Sequence, residues 1–213
     1  MIVINLKNYK VGVQLAELVR KIELYYPRAI VAIPFIELKD VVKMKSNNSM
    51  QVYAQHVDFQ ESGRGTGFVT PEAIISTGAN GSLLNHSEHK IPMKNIRKTI
   101  KRCNELGLKL IVCASSLSEI DLLKKLNPFA IAFEDKKLIA TGKSVTEYRQ
   151  DEIKKFVQHL DGTEIIPLCG AGITSGKDVA AALVLGCKGV LVASAVANSE
   201  EPEKFLKEIG QLL

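Results

Sequence analysis

Residues 164–192, EIIPLCGAGITSGKDVAAALVLGCKGVLV, hold one complete strand–helix–strand unit. Glu164-Ile-Ile-Pro-Leu168 is a short apolar run that reads as a buried strand, and Gly189-Val-Leu-Val192 is a second. Between them, Ser175-Gly-Lys-Asp178 has the spacing of a capping box in its Asp variant. Leu183-Val-Leu-Gly186 then ends the helix on a glycine, with the next strand close behind. The stretch from Val179 to Ala197 is almost wholly apolar and nearly long enough to span a bilayer. Gly186-Cys-Lys-Gly189 divides it, so the reading is helix, turn and buried strand, with no membrane association.

Outward from this unit the same rhythm recurs. Six further apolar runs are Ile2-Val-Ile4, Ala29-Ile-Val-Ala-Ile33, Gln51-Val-Tyr-Ala54, Gly81-Ser-Leu-Leu84, Leu108-Lys-Leu-Ile-Val112 and Phe129-Ala-Ile-Ala-Phe133. Runs apolar at successive positions suit a parallel sheet buried on both faces. The segments between them carry helix punctuation: Thr70-Pro71, Ser116-Leu-Ser-Glu119 and Ser144-Val-Thr-Glu147 as starts, Asn104-Glu-Leu-Gly107 as a stop. Eight strand–helix units of about 27 residues, with no linker or shift in composition, predict a (β/α)8 barrel. Eight parallel strands with eight helices outside would form a single domain over residues 1–213. The alternative, an open doubly wound sheet, calls for a nucleotide fingerprint. In Gly170-Ala-Gly-Ile-Thr-Ser-Gly176 the last glycine comes one position late for that pattern, and the barrel is preferred.

Composition agrees with this reading. The 213 residues are 46% hydrophobic and 24% charged, with 28 Lys+Arg against 23 Asp+Glu, which excludes a disordered or low-complexity chain. The charge of +5 is mild, and its densest row, Lys94, Arg97, Lys98, Lys101 and Arg102, has the spacing of a solvated helix face. With no Trp and scattered Tyr there is no stacking platform, so no nucleic-acid partner is expected. Cys103, Cys113, Cys169 and Cys187 lie in apolar runs without a C-x-x-C pair, as reduced, packed thiols do. No secretory signal is visible at Met1-Ile-Val-Ile-Asn5, and the expected location is cytoplasmic.

In such a barrel the chemistry sits where strands end. Asn5 and Lys7 follow the first strand, Gln55-His56 the third, Asn85-His-Ser-Glu88 the fourth and Glu134 the sixth. Cys169-Gly-Ala-Gly172 and Ala193-Ser194 close the seventh and eighth. Small residues after the last two strands admit backbone N–H groups to an anion, which points to a phosphorylated small molecule. His86, near a helix start, is suited as a neutral ring donating a hydrogen bond to a carbonyl. Glu134, a carboxylate at the end of an apolar run, is the candidate general base. Lys7 can neutralise substrate anion or developing enolate charge. No second His/Asp/Glu cluster is present, so neither metal nor cofactor is expected.

These residues match a family end to end. The chain resembles triosephosphate isomerase in its short archaeal form, through Asn5-Leu-Lys7, Ala54-Gln-His-Val-Asp58, Gly65-Thr-Gly67 and Leu83-Leu-Asn-His-Ser-Glu88. Further matches are Phe133-Glu134, Ala140-Thr-Gly142, Leu168-Cys-Gly-Ala-Gly-Ile173 and Leu191-Val-Ala-Ser194. The resemblance implies interconversion of glyceraldehyde 3-phosphate and dihydroxyacetone phosphate, in glycolysis and gluconeogenesis. It makes Glu134 the base, His86 the electrophile and Lys7 the positive charge, with Asn5 and Leu6 alongside. Ile139, Ala140, Gly172, Ala193 and Ser194 would hold the phosphate, and Ser87, Glu88 and Thr66 would support the site. Asp135 to Lys143 resembles the family's lid, with Asp135 where a proline and Ala140 where a glycine is usual. Thr66 matches the loop tip that reaches a neighbouring subunit, which implies a homodimer, with a homotetramer as the alternative. Another phosphosugar isomerase or epimerase on the same barrel is the competing reading of function.

Overall fold

The computed structural model describes residues 1–46, 48–134 and 150–212. Its strands are β1 (Ile2–Asn5), β2 (Ile30–Ile33), β3 (Gln51–Ala54), β4 (Gly81–Leu84), β5 (Lys109–Ala114), β6 (Ala130–Phe133), β7 (Ile166–Gly170) and β8 (Gly189–Val192). All pair in parallel in chain order, and β8 returns to β1 through Ile2↔Val190, Val3↔Leu191 and Ile4↔Val192. The eight predicted runs are therefore eight staves of one closed barrel. Closure removes every sheet edge, so short strands suffice.

The continuous apolar runs are explained by two cores. Val3, Ala32, Tyr53, Leu83, Ile111, Ala132, Leu168 and Leu191 fill the barrel interior. The alternate residues, among them Ile2, Ile4, Val31, Ile33, Val52 and Leu84, face the helices. Successive strand side chains point to opposite faces, and here both faces are dry. Tyr53 is the bulkiest fully buried side chain, and Gly81 on the next strand makes its room. A Cβ on Gly81 would fall 2.5 Å from Tyr53 Cε2.

The helices are α1 (Gly12–Tyr25), α2 (Leu38–Met44), α3 (Pro71–Ser76), α4 (Met93–Glu105), α5 (Leu117–Leu123), α6 (Gln150–His159), α7 (Gly176–Val184), α8 (Ser194–Ala197) and α9 (Pro202–Gly210). Thr70 caps α3 through Ala73 N with Pro71 in the first turn, and Ser175 and Asp178 form the full reciprocal box at α7. The expected box at α5 is only half formed: Ser116 Oγ accepts from Glu119 N, but the Glu119 carboxylate turns to Ser115. The expected start at Ser144 lies outside the described residues. The last unit carries two helices, the four-residue α8 at the mouth of the barrel and α9 on its flank. Such a short extra helix is a recurring part of phosphate sites in this architecture. Among the described residues no helix is long and apolar enough to cross a membrane.

Candidate active site

After β1 the chain turns at Lys7 with φ of 46°, a left-handed backbone that is unfavourable for a residue with a Cβ. Asn5 stabilises the turn by accepting the Lys7 backbone N–H at 3.0 Å, and Gln55 Nε2 donates to the Lys7 carbonyl at 2.9 Å. Asn5, 4% exposed, is thus the residue that aims Lys7. The Lys7 ammonium ends 2.6 Å from Glu88 Oε1.

β4 delivers His86, 8% exposed, into the same mouth. Its Nδ1 accepts the Glu88 backbone N–H at 3.2 Å, so the ring proton resides on Nε2. Nε2 stands 3.4 Å from Glu134 Oε1, at the end of β6. Glu134 is 5% exposed, and its Oε2 has no hydrogen-bond partner among the described residues. Beneath it lies Cys113 of β5. Burial first, then the Glu134 charge and a hydrogen bond to it, push the Cys113 thiol well above its ordinary range, so Sγ–H remains a donor to the carboxylate.

The turns after β7 and β8 complete the ring. Ala171 and Gly172 both have positive φ, 74° and 66°, which brings backbone rather than side chains to the cavity. Just ahead of α7, Asp178 Oδ2 accepts from Thr174 N and Ser175 N, both at 3.0 Å, and so fixes the loop that leads into the helix. A cavity of about 290 Å³ is bounded by Asn5, Lys7, His86 and Glu134 on one side and by Gly172, Ala193 and Ser194 on the other.

Five strand ends thus supply seven of the residues singled out in the sequence to one cavity. Leu6 is not among them: its apolar side chain is fully buried in the core. Glu88 meets the site through Lys7, the Ser87 hydroxyl is buried without a hydrogen-bond partner among the described residues, and Thr66 stands exposed on the loop after β3. Ile139, Ala140 and the expected lid lie outside the described residues. Sequence reading missed Tyr9, Thr174 and Asn198 in the wall, and Gln55 as the brace of Lys7. Gln55 directly follows β3 and was legible by position; the others lie further along their loops, where strand periodicity gives no signal. Among the described residues no group of three or more His, Cys, Asp or Glu side chains is placed to hold a metal ion.

A closed parallel barrel whose strand ends join a lysine, a histidine, a glutamate and two small-residue turns defines the class of phosphosugar-type barrel enzymes. The family follows from comparison. The sequence pattern of the family described as triosephosphate isomerase matches residues 1–210. Triosephosphate isomerase from Sulfurisphaera tokodaii is 37% identical over 214 residues, covering 98% of this chain and 93% of that protein. Its counterpart from Methanocaldococcus jannaschii is 36% identical over 217 residues, with 98% of each covered. A crystal structure of triosephosphate isomerase from Bartonella henselae superposes with a TM-score of 0.74 over 98% of this chain and 96% of that one. At 19% identity that likeness speaks for the fold. The chain belongs to the triosephosphate isomerase family and is an isomerase.

Proposed function

We propose that the chain interconverts D-glyceraldehyde 3-phosphate and dihydroxyacetone phosphate through an enediol(ate), with Glu134, His86 and Lys7 as its working groups. The single observation that carries this is the 3.4 Å approach of Glu134 to a His86 whose proton is on Nε2. The carboxylate removes a proton from the carbon beside the carbonyl, and the electron pair moves onto the carbonyl oxygen. His86 Nε2–H donates to that oxygen, and the Lys7 ammonium stabilises the charge developing there. His86 gives its Nε2 proton to that oxygen and takes the hydroxyl proton from the neighbouring one, while Glu134 returns its proton to the former carbonyl carbon, so no net atom is gained or lost. This is the family's division of labour, carried over residue by residue.

The phosphate is assigned to the turns at Gly172, Ala193 and Ser194, with Ile139 and Ala140 completing it as the resemblance implies. In the cell the reaction serves glycolysis and gluconeogenesis in the cytoplasm, and residues 1–213 act as one domain. A homodimer is the proposed state. Tyr9, Val11, Val13, Phe35, Ile36 and Phe68 expose apolar surface along the first three strand–helix units. Beside them a second cavity of about 250 Å³, walled by Lys7, Gln55, His56 and Glu88, has room for a loop tip such as Thr66 of another copy. A tetramer is the alternative, and the cationic row on α4 is partly neutralised within the chain, since Arg102 pairs with Glu72 and Lys98 lies 4.6 Å over the Phe59 ring.

The test is titration with 2-phosphoglycolate, an analogue of the enediolate, alongside turnover. Competitive inhibition that weakens in Lys7→Met and Ser194→Asp supports the assignment. Turnover of a different phosphosugar, with none of the trioses, overturns it. Sedimentation at micromolar concentration separates dimer from tetramer and monomer.

A further inference from the structure

The loop that carries His86 is anchored at both ends to one residue that never touches the cavity. Asn85, which hands β4 to His86, has φ of 60° and is 1% exposed. Such a backbone is unfavourable for a residue with a Cβ, so something must hold it. Asn85 Nδ2 donates to the Cys113 carbonyl at 2.9 Å and to Glu119 Oε1 at 2.7 Å, while its Oδ1 accepts Ile91 N–H at 3.2 Å. On the far side of the loop, Lys90 Nζ reaches both oxygens of Glu119, at 3.2 and 3.4 Å. Between these anchors His89 N donates to the His86 carbonyl at 2.8 Å and closes the turn.

Glu119 has given up its place in a capping box to do this. Its Oε2 accepts Ser115 N–H at 2.8 Å and Ser115 Oγ–H at 3.2 Å, leaving Oε1 for Asn85. The side chain is 18% exposed and lies outside the cavity wall. A carboxylate is the fitting acceptor here, because every neighbour presents a donor and one of them is a cation.

We propose that Glu119 is a positioning residue for the isomerisation: acting through Asn85 and Lys90, it fixes the loop that points His86 Nε2 at the reacting oxygen. This rests on the reading of His86 given above. A glutamine at 119 would turn an N–H2 toward donors on every side and release one anchor.

The experiment compares the full-length parent with Glu119→Gln, Asn85→Gly, the double variant and His86→Gln. Glycine adopts φ of 60° freely, so Asn85→Gly removes the link while sparing the backbone. In Glu119→Gln, kcat for glyceraldehyde 3-phosphate should fall about tenfold or more, with KM and inhibition by inorganic phosphate within about twofold. Asn85→Gly should reproduce that loss, and the double variant should lie within about twofold of either single one, since both act through one link. Ring 15N shifts of His86 should show a fixed Nε2–H form in the parent and a shift toward a tautomer mixture in Glu119→Gln. Unchanged kcat with only a lowered melting temperature would overturn the proposal and leave Glu119 a purely structural group. Full turnover by His86→Gln would instead sink the reading of His86, and this inference with it. If Glu119→Gln does not fold, Asn85→Gly decides: an unchanged kcat and fixed tautomer there contradict the proposal.

Discussion

A Cβ built on Gly170 would lie 2.8 Å from Glu134 Cγ. β7 therefore passes the stem of the carboxylate at a distance that only a hydrogen side chain permits. Glu134 is buried among Cys113, His86 and the strand ends, so it lacks an easy retreat. Gly170→Ala is expected to displace the carboxylate from its 3.4 Å approach to His86 and to lower kcat by about tenfold or more, with KM little changed. Steady-state kinetics checks this, and parent-like turnover would show that the base tolerates the displacement.

Lys7 and Glu88 form a close pair, yet the Glu88 side chain is 55% exposed, and pairs that open contribute little to stability. Lys7→Met should therefore melt within a few degrees of the parent. Its defect should appear in binding: loss of a charged hydrogen bond worth about 1.5–3 kcal/mol raises the inhibition constant of 2-phosphoglycolate roughly ten- to hundredfold. Calorimetric titration reads this directly. Equal affinity in the variant would place Lys7 outside the anion site.

Glu119 gives the fold a dependence on pH whose direction is set by its partners. Burial would raise its carboxyl, but the Ser115 N–H, the Lys90 ammonium and the Asn85 amide together hold it below the usual 4.5. A group depressed on folding adds stability that is present above its unfolded value and lost as pH falls through its folded one. Thermal melts between pH 7 and pH 3 should show the parent losing stability below about pH 4.5 more steeply than Glu119→Gln. Parallel curves would contradict the assignment.

All four cysteines are buried. Burial pushes the Cys103 thiol up to about 12, and Cys169 is raised well above its ordinary range by its hydrogen bond to Cys187 and by burial. Thiolates are the reactive form, so iodoacetamide at pH 8 should leave the native protein unlabelled and modify all four cysteines in denaturant. Mass spectrometry counts the adducts. Rapid labelling of a native thiol would mean that its surroundings open.

The barrel was legible because its strands are dry on both faces: Phe129-Ala-Ile-Ala-Phe133 and Gly189-Val-Leu-Val192 allow no solvent-facing position, and only parallel sheets covered by helices require that. Lys7, His86 and Glu134 were legible as polar residues at the ends of such runs. What escaped was the work of residues whose partners are distant in sequence. Ser116-Leu-Ser-Glu119 has the spacing of a capping box, and nothing local reveals that the Glu119 carboxylate is drawn to Asn85, 34 residues earlier. In the sequence Gly170 is only one of the small residues closing the seventh strand, and its role depends on the stem of Glu134 lying alongside. Leu6 sits between two polar site residues, yet strand alternation continued by one step turns it into the core.

The most direct test of the account is turnover of glyceraldehyde 3-phosphate by the parent and by Glu134→Gln, which keeps shape and removes the base. The prediction is a fall in kcat of roughly a thousandfold or more, with 2-phosphoglycolate still bound. Turnover within about tenfold of the parent would contradict it and place the proton transfer on another residue.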